Sequence, residues 1–415
     1  MNKAKPFCIS RWEVWEAYKG VKANKGAAGV DGQSIAKFEE NLKNNLFKIW
    51  NRMSSGSYFP PPVRRVEIPK DNAGTRPLGI PTVADRIAQT VVKRYLEPIL
   101  EEHFHPDSYG YRPGKSAIEA VGVARQRCWR YDWVLDLDIK GFFDSIDHDL
   151  LMRAVRKHTD CKLVLLYIER WLKVPVQLED GSLIHREKGT PQGGVISPLL
   201  ANLFLHYAFD KWMQRYFPQI PFERYADDGI CHCQNEAQAE SLWVAIERRF
   251  VECGLELHRQ KTRIIYCKDD RRRKDYPEQK FDFLGYTFRP RGAKDPEGKF
   301  FVGFNPAVSN EAAKSMCETM REWCLHRQTD KSLDELAHMI NPVVRGWINY
   351  YGNFYKSALY PTFQRLNHIL VRWATRKYKR LRGHNRRALH WLQRVVRKQP
   401  ELFAHWRLPQ FKAGQ

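Results

Sequence analysis

No apolar run in the 415 residues approaches the ~18 that a membrane-crossing helix needs, and no leader-like segment opens the chain, so a soluble intracellular protein is expected. Paired C-x-x-C spacing is missing among the nine cysteines, and an odd count without pairing points to reduced thiols rather than a disulfide framework. Cys231 and Cys233 flank His232, but strand alternation turns both sulfurs to one face, where a core position outweighs zinc. Acid is scarce: Asp+Glu total 47 against 69 Lys+Arg, a formal charge of +22 that points to a polyphosphate partner. Between Leu336 and Pro400 there is no Asp or Glu at all. Gly114-Lys115-Ser116 lacks the glycine that a phosphate loop requires five positions upstream, where Tyr109 stands. Ser116 and Glu119 are instead a capping box opening a helix. Internal repeats and low-complexity tracts are also missing.

What is present begins with Trp12, Trp15 and Tyr18 at helical spacing, running into a glycine-rich segment, Asn24 to Gly32, that reads as a flexible loop. Pro60-Pro61-Pro62 closes a second amphipathic helix. A hairpin follows, with Val66 and Ile68 on one strand, Asp71-Asn72-Ala73-Gly74 as turn and Arg76 to Pro81 returning. Lys70 and Arg76 near its tip serve either to protect an edge strand or to clamp a triphosphate. Ile87, Val91, Tyr95, Leu96 and Ile99 predict one apolar helix face, interrupted or restarted at Pro98.

Trp133 to Ile139 reads as a buried strand with Leu135, Leu137 and Ile139 on one face and Asp136 and Asp138 on the other. Asp147 is the cap of a helix starting at His148, and Asp180-Gly181 turns a further hairpin. Gln192 sits at the entrance to a helix begun by Ser197 and Pro198. Phe222 to Cys233 reads as a hairpin with Asp227 and Asp228 at its tip. Leu242, Ile246, Phe250 and Cys253 give a helix closed by Gly254, before a strand near Thr262 to Tyr266. This succession of strand, helices, two strands, helix and strand is a split β-α-β arrangement, in which the first strand neighbours the hairpin. Asp138 then approaches Asp227, and a carboxylate from one strand with a pair on the next is a ligand set for two Mg²⁺ ions.

Beyond a charged loop, Phe281 to Phe288 reads as one strand and Arg289 to Phe304 as a hairpin around Pro296-Glu297-Gly298. After Pro306 the signals turn helical, marking a domain boundary near 305. In the acid-free stretch Arg345, Arg365, Arg372, Arg376, Lys379 and Arg380 recur, a composition suited to meeting phosphates. A helix over 362–380 is expected to turn Phe363, Leu366, Ile369, Leu370 and Trp373 inward and its arginines elsewhere. Trp347, Tyr350, Tyr351, Phe354 and Tyr355 are interleaved aromatics able to stack on bases, but at helical spacing most read as core.

Asp138-Ile139-Lys140-Gly141-Phe142-Phe143, Thr190-Pro191-Gln192-Gly193, Tyr225-Ala226-Asp227-Asp228, Lys261-Thr262 and Phe283-Leu284-Gly285-Tyr286 together resemble reverse transcriptases. Asn24 to Gly32, Arg76 to Pro81 and Asn341 to Tyr351 narrow the resemblance to bacterial group II intron-encoded reverse transcriptase/maturases. The resemblance implies an α+β right-hand polymerase: an N-terminal extension and fingers over 1–130, a ferredoxin-like palm over 131–304 and an all-helical thumb or maturase domain over 305–415. It implies Asp138, Asp227 and Asp228 as ligands of two Mg²⁺ ions (Mn²⁺ a possible substitute), leaving Asp136 a structural or surface acid. Lys261 is implied as a proton donor to the leaving pyrophosphate, Lys70 and Arg76 as triphosphate clamps, Phe143 as the ring that excludes a ribose 2′-hydroxyl, and Gln192 and Ile139 as substrate contacts. Implied partners are an RNA template, above all group II intron RNA, a DNA primer or target, and dNTPs, in a bacterial ribonucleoprotein setting. The endonuclease domain of longer relatives is not expected. Two alternatives share these residues: an RNA-binding splicing cofactor, and an enzyme recruited to host defence or repair.

Overall fold

The computed structural model describes residues 7–69, 74–294 and 297–412. The chain is mixed helix and sheet and divides into two compact units, residues 1–120 with 133–264 and residues 121–132 with 265–415. Among the described residues no helix is long and apolar enough to cross a membrane.

In the first unit α1 (Arg11–Asn24) opens on a capping box between Ser10 and Glu13. It is followed by α2 (Ile35–Glu39) and by α3 (Leu42–Ser55), which Gly56 closes in the left-handed conformation well before the prolines. The glycine-rich segment after α1 is pinned, contrary to the flexible loop expected. Arg86 donates to the carbonyls of Lys25 (3.1 Å) and Ala27 (2.8 Å), and a Cβ at Gly29 would collide with the Thr82 backbone. β1 (Val63–Pro69) and β2 (Thr75–Ile80) form the expected antiparallel hairpin. α4 (Val83–Glu101) runs unbroken through Pro98, because the proline ring is exposed and Ile87, Val91, Val92, Leu96 and Leu100 anchor the buried face on both sides. Tyr95, expected on that face, is exposed.

The capping box at Ser116 and Glu119 forms and begins α5 (Ala117–Cys128). β3 (Trp133–Leu137) ends two residues earlier than the periodicity predicts. After α6 (Phe142–Ser145), Asp147 caps α7 (His148–Arg156) by accepting from the Leu150 nitrogen at 2.8 Å, as expected. Then come α8 (Lys162–Leu172) and the hairpin of β4 (Val176–Gln177) and β5 (Leu183–Ile184). α9 (Ser197–Leu205) passes into a π-helical turn, His206–Asp210, and on to α10 (Lys211–Tyr216), a widening that no sequence pattern signalled. β6 (Phe222–Tyr225) and β7 (Asp228–Cys233) precede α11 (Glu236–Glu252). Gly254, at φ +73°, lets the Leu255 nitrogen reach back to the Phe250 carbonyl (2.8 Å), the Schellman closure expected there. β8 (Arg263–Tyr266) completes a four-stranded sheet in the order β6-β7-β3-β8, so β3 lies beside the hairpin as the split arrangement predicts. A second sheet has the order β2-β1-β4-β5, through a parallel pairing of Val63 with Val176 that sequence could not foretell.

In the second unit, β9 (Phe281–Phe283) and β10 (Tyr286–Lys294) replace the single strand expected over 281–288. Leu284 and Gly285 take φ of 52° and 77°, the paired left-handed dihedrals of a two-residue hairpin turn, which apolar alternation alone conceals. β11 (Phe300–Val308) pairs with β10; Pro296, part of the expected turn, lies outside the described residues. Ser309 caps α12 (Asn310–Glu322), and α13 (Leu333–Tyr351), α14 (Tyr360–Lys377), α15 (Asn385–Lys398) and the short α16 (Pro409–Lys412) follow. Phe363, Leu366, Leu370 and Trp373 of α14 are buried as read, with Ile369 partly so. Asn341 ties α13 to the C-terminal segment, donating to the Leu402 carbonyl (2.9 Å) and accepting from the Ala404 nitrogen (2.8 Å). His405, fully enclosed, has its pKa pushed down to about 3 by burial and is neutral at physiological pH.

Candidate active site

The aspartate pair sits where β6 turns into β7. Tyr225 pairs with Asp228, which leaves Ala226 and Asp227 as the two turn residues, and Ala226 takes φ of 56°. A positive φ at the first turn position suits the right-handed twist of a hairpin, at a cost that an alanine bears and a glycine would not. Gly229 is a strand residue packed against Leu137. Asp228 is exposed and Asp227 partly so.

β7 pairs with β3 in the register Asp136↔Ile230 and Leu137↔Gly229, where the ladder ends; Asp138 directly follows the last paired residue of β3 and Asp228 directly precedes that of β7. Asp138 is anchored by its backbone: its carbonyl accepts from the His258 nitrogen (2.8 Å) and its nitrogen donates to Thr262 Oγ1 (3.4 Å). The same turn delivers Lys261, whose Nζ lies 2.8 Å from Asp138 Oδ2. Ile139 is buried and bridges Leu257 through its backbone. Asp136 remains within β3.

A second set of predicted residues gathers around the loop before α9. The Thr190 nitrogen donates to the Phe143 carbonyl (2.7 Å) and the Gly79 nitrogen to the Gln192 carbonyl (2.6 Å), which joins Phe143, Gln192 and β2. Gly193 is required there: at φ +111° it packs so closely on the Gly79 carbonyl and Leu78 that no Cβ fits. Phe143 is partly exposed, its ring 5.5 Å from buried Phe142. Arg76 occupies β2 opposite Ile68. Its side chain and the whole of Lys70 lie outside the described residues.

Sequence reasoning missed the polar groups beneath this surface. Asp85, fully buried, accepts from Tyr58 (3.0 Å), Trp171 (2.8 Å) and Gln89 (2.9 Å), while Gln89 Oε1 accepts from the Ile196 nitrogen (3.2 Å). Burial pushes the Asp85 carboxyl up to about 6 despite these donors. Glu223 and His232 meet across β6 and β7 at 2.6 Å with no solvent exposure, and Arg224 is buried beside them. Two adjacent charged residues, Glu223 and Arg224, on a strand whose first three positions are buried were the one available signal. Cys231 and Cys233 are core residues, as read, and burial raises both thiols.

Among the described residues no group of three or more His, Cys, Asp or Glu forms a preformed metal cage. The donors at the strand ends nonetheless suit Mg²⁺, a hard cation that takes one or two carboxylates and completes its shell with water and substrate phosphates. The Lys261 ammonium already stands against Asp138 as a cation does.

In the second unit Arg345, Arg365, Arg372, Arg376, Lys379 and Arg380 are all exposed. Arg365 reaches Cys317 Sγ (3.6 Å) and Arg376 the His326 carbonyl (3.3 Å). Trp347 stacks on Trp323, and Tyr350 and Tyr351 pack on Tyr286; these rings, with Phe354 and Tyr355, are half-buried and lie at the edge of the core rather than within it.

Comparison with known proteins agrees with this layout. A profile of reverse transcriptase (RNA-dependent DNA polymerase) matches residues 68–288, and one of the group II intron maturase-specific domain matches residues 313–394. Protein YkfC of Escherichia coli is 34% identical over 61% of this chain and 77% of its own length. The group II intron-encoded protein LtrA of Lactococcus lactis is 37% identical over 52% of this chain, a span that is 35% of LtrA. A putative COX1/OXI3 intron 1 protein of Saccharomyces cerevisiae is 28% identical over 48% of the chain and 24% of its own length. With more than half of its residues matched, the chain belongs to the reverse transcriptases, in the group that carries a group II intron maturase-specific domain.

Proposed function

We propose that the protein copies RNA into DNA and binds the RNA of a group II intron to assist its splicing and mobility. The observation that carries this reading is the meeting of Asp138 with Lys261 on the strand beside the Asp227-Asp228 hairpin. Residues 1–130 would be N-terminal extension and fingers, 131–304 a palm, and 305–415 a thumb that doubles as the maturase domain. Asp138 and Asp227 would hold two Mg²⁺ ions, with Asp228 in support. Mg²⁺ bound there supplies Lewis acidity for attack of the primer 3′-hydroxyl on the α-phosphate of a dNTP and charge neutralisation for the departing pyrophosphate.

The chain's own groups do the rest. Lys261, released from Asp138 as substrate enters, hands a proton to the leaving pyrophosphate. Phe143 presents its ring edge where a ribose 2′-hydroxyl would sit, and Gln192 with Ile139 borders the nucleotide. Lys70 and Arg76 neutralise the triphosphate. The basic helices of the second unit take the RNA backbone, an acid-free stretch of helices being the composition that phosphate contacts favour.

The test is extension of a DNA primer on an RNA template with Mg²⁺, run beside splicing of a group II intron RNA. Templated extension lost in Asp138→Asn and splicing enhanced by the wild type are the expected results. Extension that survives Asp138→Asn unchanged would overturn the site, and absence of any effect on splicing would remove the maturase half of the reading.

A further inference from the structure

Arg224 precedes the Tyr-Ala-Asp-Asp turn and is only 2% exposed. Its guanidinium uses all five N–H donors. Nε and Nη2 clasp the two oxygens of Asp210 at 2.7 Å each, Nη2 also reaches Ser108 Oγ (2.8 Å), and Nη1 reaches Asn202 Oδ1 (3.0 Å). The remaining bond goes from Nη1 to the carbonyl of Ala226 (2.9 Å), the residue in the left-handed conformation immediately before Asp227. The other side of the same residue is walled by Gly110, where any Cβ would collide with the Ala226 nitrogen. Asn202 Nδ2 donates to the Gly110 carbonyl at 2.6 Å and so joins the wall to the clasp. Asp210, fully buried, ends the π-helical turn after α9, and such widened turns recur at functional sites.

A buried ion pair is a poor device for stability alone, since apolar side chains of the same volume do as well or better. A fully satisfied network with one arm on a strained peptide is suited to holding a single geometry. We infer that Arg224, oriented by Asp210 and Asn202, is a positioning residue that fixes the Ala226 peptide and thereby aims the Asp227 carboxylate; the inference rests on the reading of Asp227 as a metal ligand. A lysine at 224 reaches Asp210 but cannot span the Ala226 carbonyl, Asn202 and Ser108 together, because an ammonium lacks the planar fork.

The experiment measures Arg224→Lys and Ala226→Gly beside Asp227→Asn. For each, single-nucleotide extension gives kcat and dNTP KM, Mn²⁺ titration followed by EPR on a complex with a dideoxy-terminated primer gives cation affinity without turnover, and thermal melting and template-primer affinity report the fold. Arg224→Lys is expected to lose about 10²-fold in kcat, the scale of a 1 Å misplacement, with weaker Mn²⁺ binding and template-primer affinity unchanged. Ala226→Gly is expected to melt no lower than wild type and still to lose kcat and Mn²⁺ affinity, so it decides the matter if Arg224→Lys does not fold. Wild-type kcat and Mn²⁺ binding in Ala226→Gly, or an Arg224→Lys defect that only parallels lost fold and lost template affinity, overturns the positioning role. Normal extension by Asp227→Asn would instead remove the carboxylate reading, and this inference with it.

Discussion

Arg224 in the first unit and Arg372 in the second carry the same group to opposite ends. Arg224 is sealed from solvent with every donor engaged and sits beside a turn that bears two carboxylates. Arg372 stands exposed on α14, in a stretch of 63 residues between Leu336 and Pro400 without one acid. Around the aspartate hairpin of the first unit the buried polar groups are paired, Arg224 with Asp210 and Glu223 with His232, so each has a defined place. Along the acid-free stretch of the second unit the cations are many and exposed, so none needs one. Positional chemistry requires the first arrangement, and attraction of a polyanion whose sequence is not read requires only the second.

The comparison breaks most sharply at Asp227. Asp227→Asn is expected to lower primer extension by at least about 10³-fold, on the order of 4 kcal/mol in the barrier, with template affinity within twofold of wild type by filter binding. Asp228→Asn, removing the exposed supporting carboxylate, should lose less; equal losses would make the two acids equivalent. Reversing Arg365, Arg372 and Arg376 to Glu should do the converse. Template affinity should fall, the slope of log K against log salt should flatten by about 3 if each arginine meets one phosphate, and thermal stability should hold. An unaltered slope would return the three to a solvated surface.

Phe143→Ala should leave dATP incorporation close to wild type and raise ATP incorporation by about tenfold or more in competition, a discrimination on the order of 1.4 kcal/mol. Unchanged discrimination would leave the ring as packing against Phe142 alone. A separate effect, on stability rather than on activity, concerns Asp85, whose folded pKa of about 6 lies above its value in the unfolded chain. The stability it contributes is complete below about pH 4 and lost as pH rises through 6, by a total of about 3 kcal/mol at one unit per 1.36 kcal/mol. Asp85→Asn should flatten that segment of a urea-denaturation profile, and an unchanged profile would assign the slope to other groups.

Local chemistry made much of the fold legible. The caps at Ser116 and Asp147, the Gly254 closure and the hairpins at 63–80, 176–184 and 222–233 each depend on a few adjacent residues, so their signals survive in one sequence. Where the reading went astray, a local signal was overruled or absent. Pro98 was tolerated because the helix is anchored on both sides of it, Leu284 took a left-handed dihedral that its side chain does not advertise, and the loop after α1 was pinned by Arg86 from 60 residues away. The acid pair, the acid-free stretch and the split strand order are all carried by composition and periodicity, and one chain of letters suffices to read them. The meeting of Asp138 with Lys261, the seating of Gln192 against β2 and the bond from Arg224 to the Ala226 carbonyl emerge from the folded chain alone. Those contacts join residues that nothing in the local sequence ties together: burial selects the partners of Arg224, whereas exposed Lys261 reaches Asp138 because its turn is hydrogen-bonded to the Asp138 backbone.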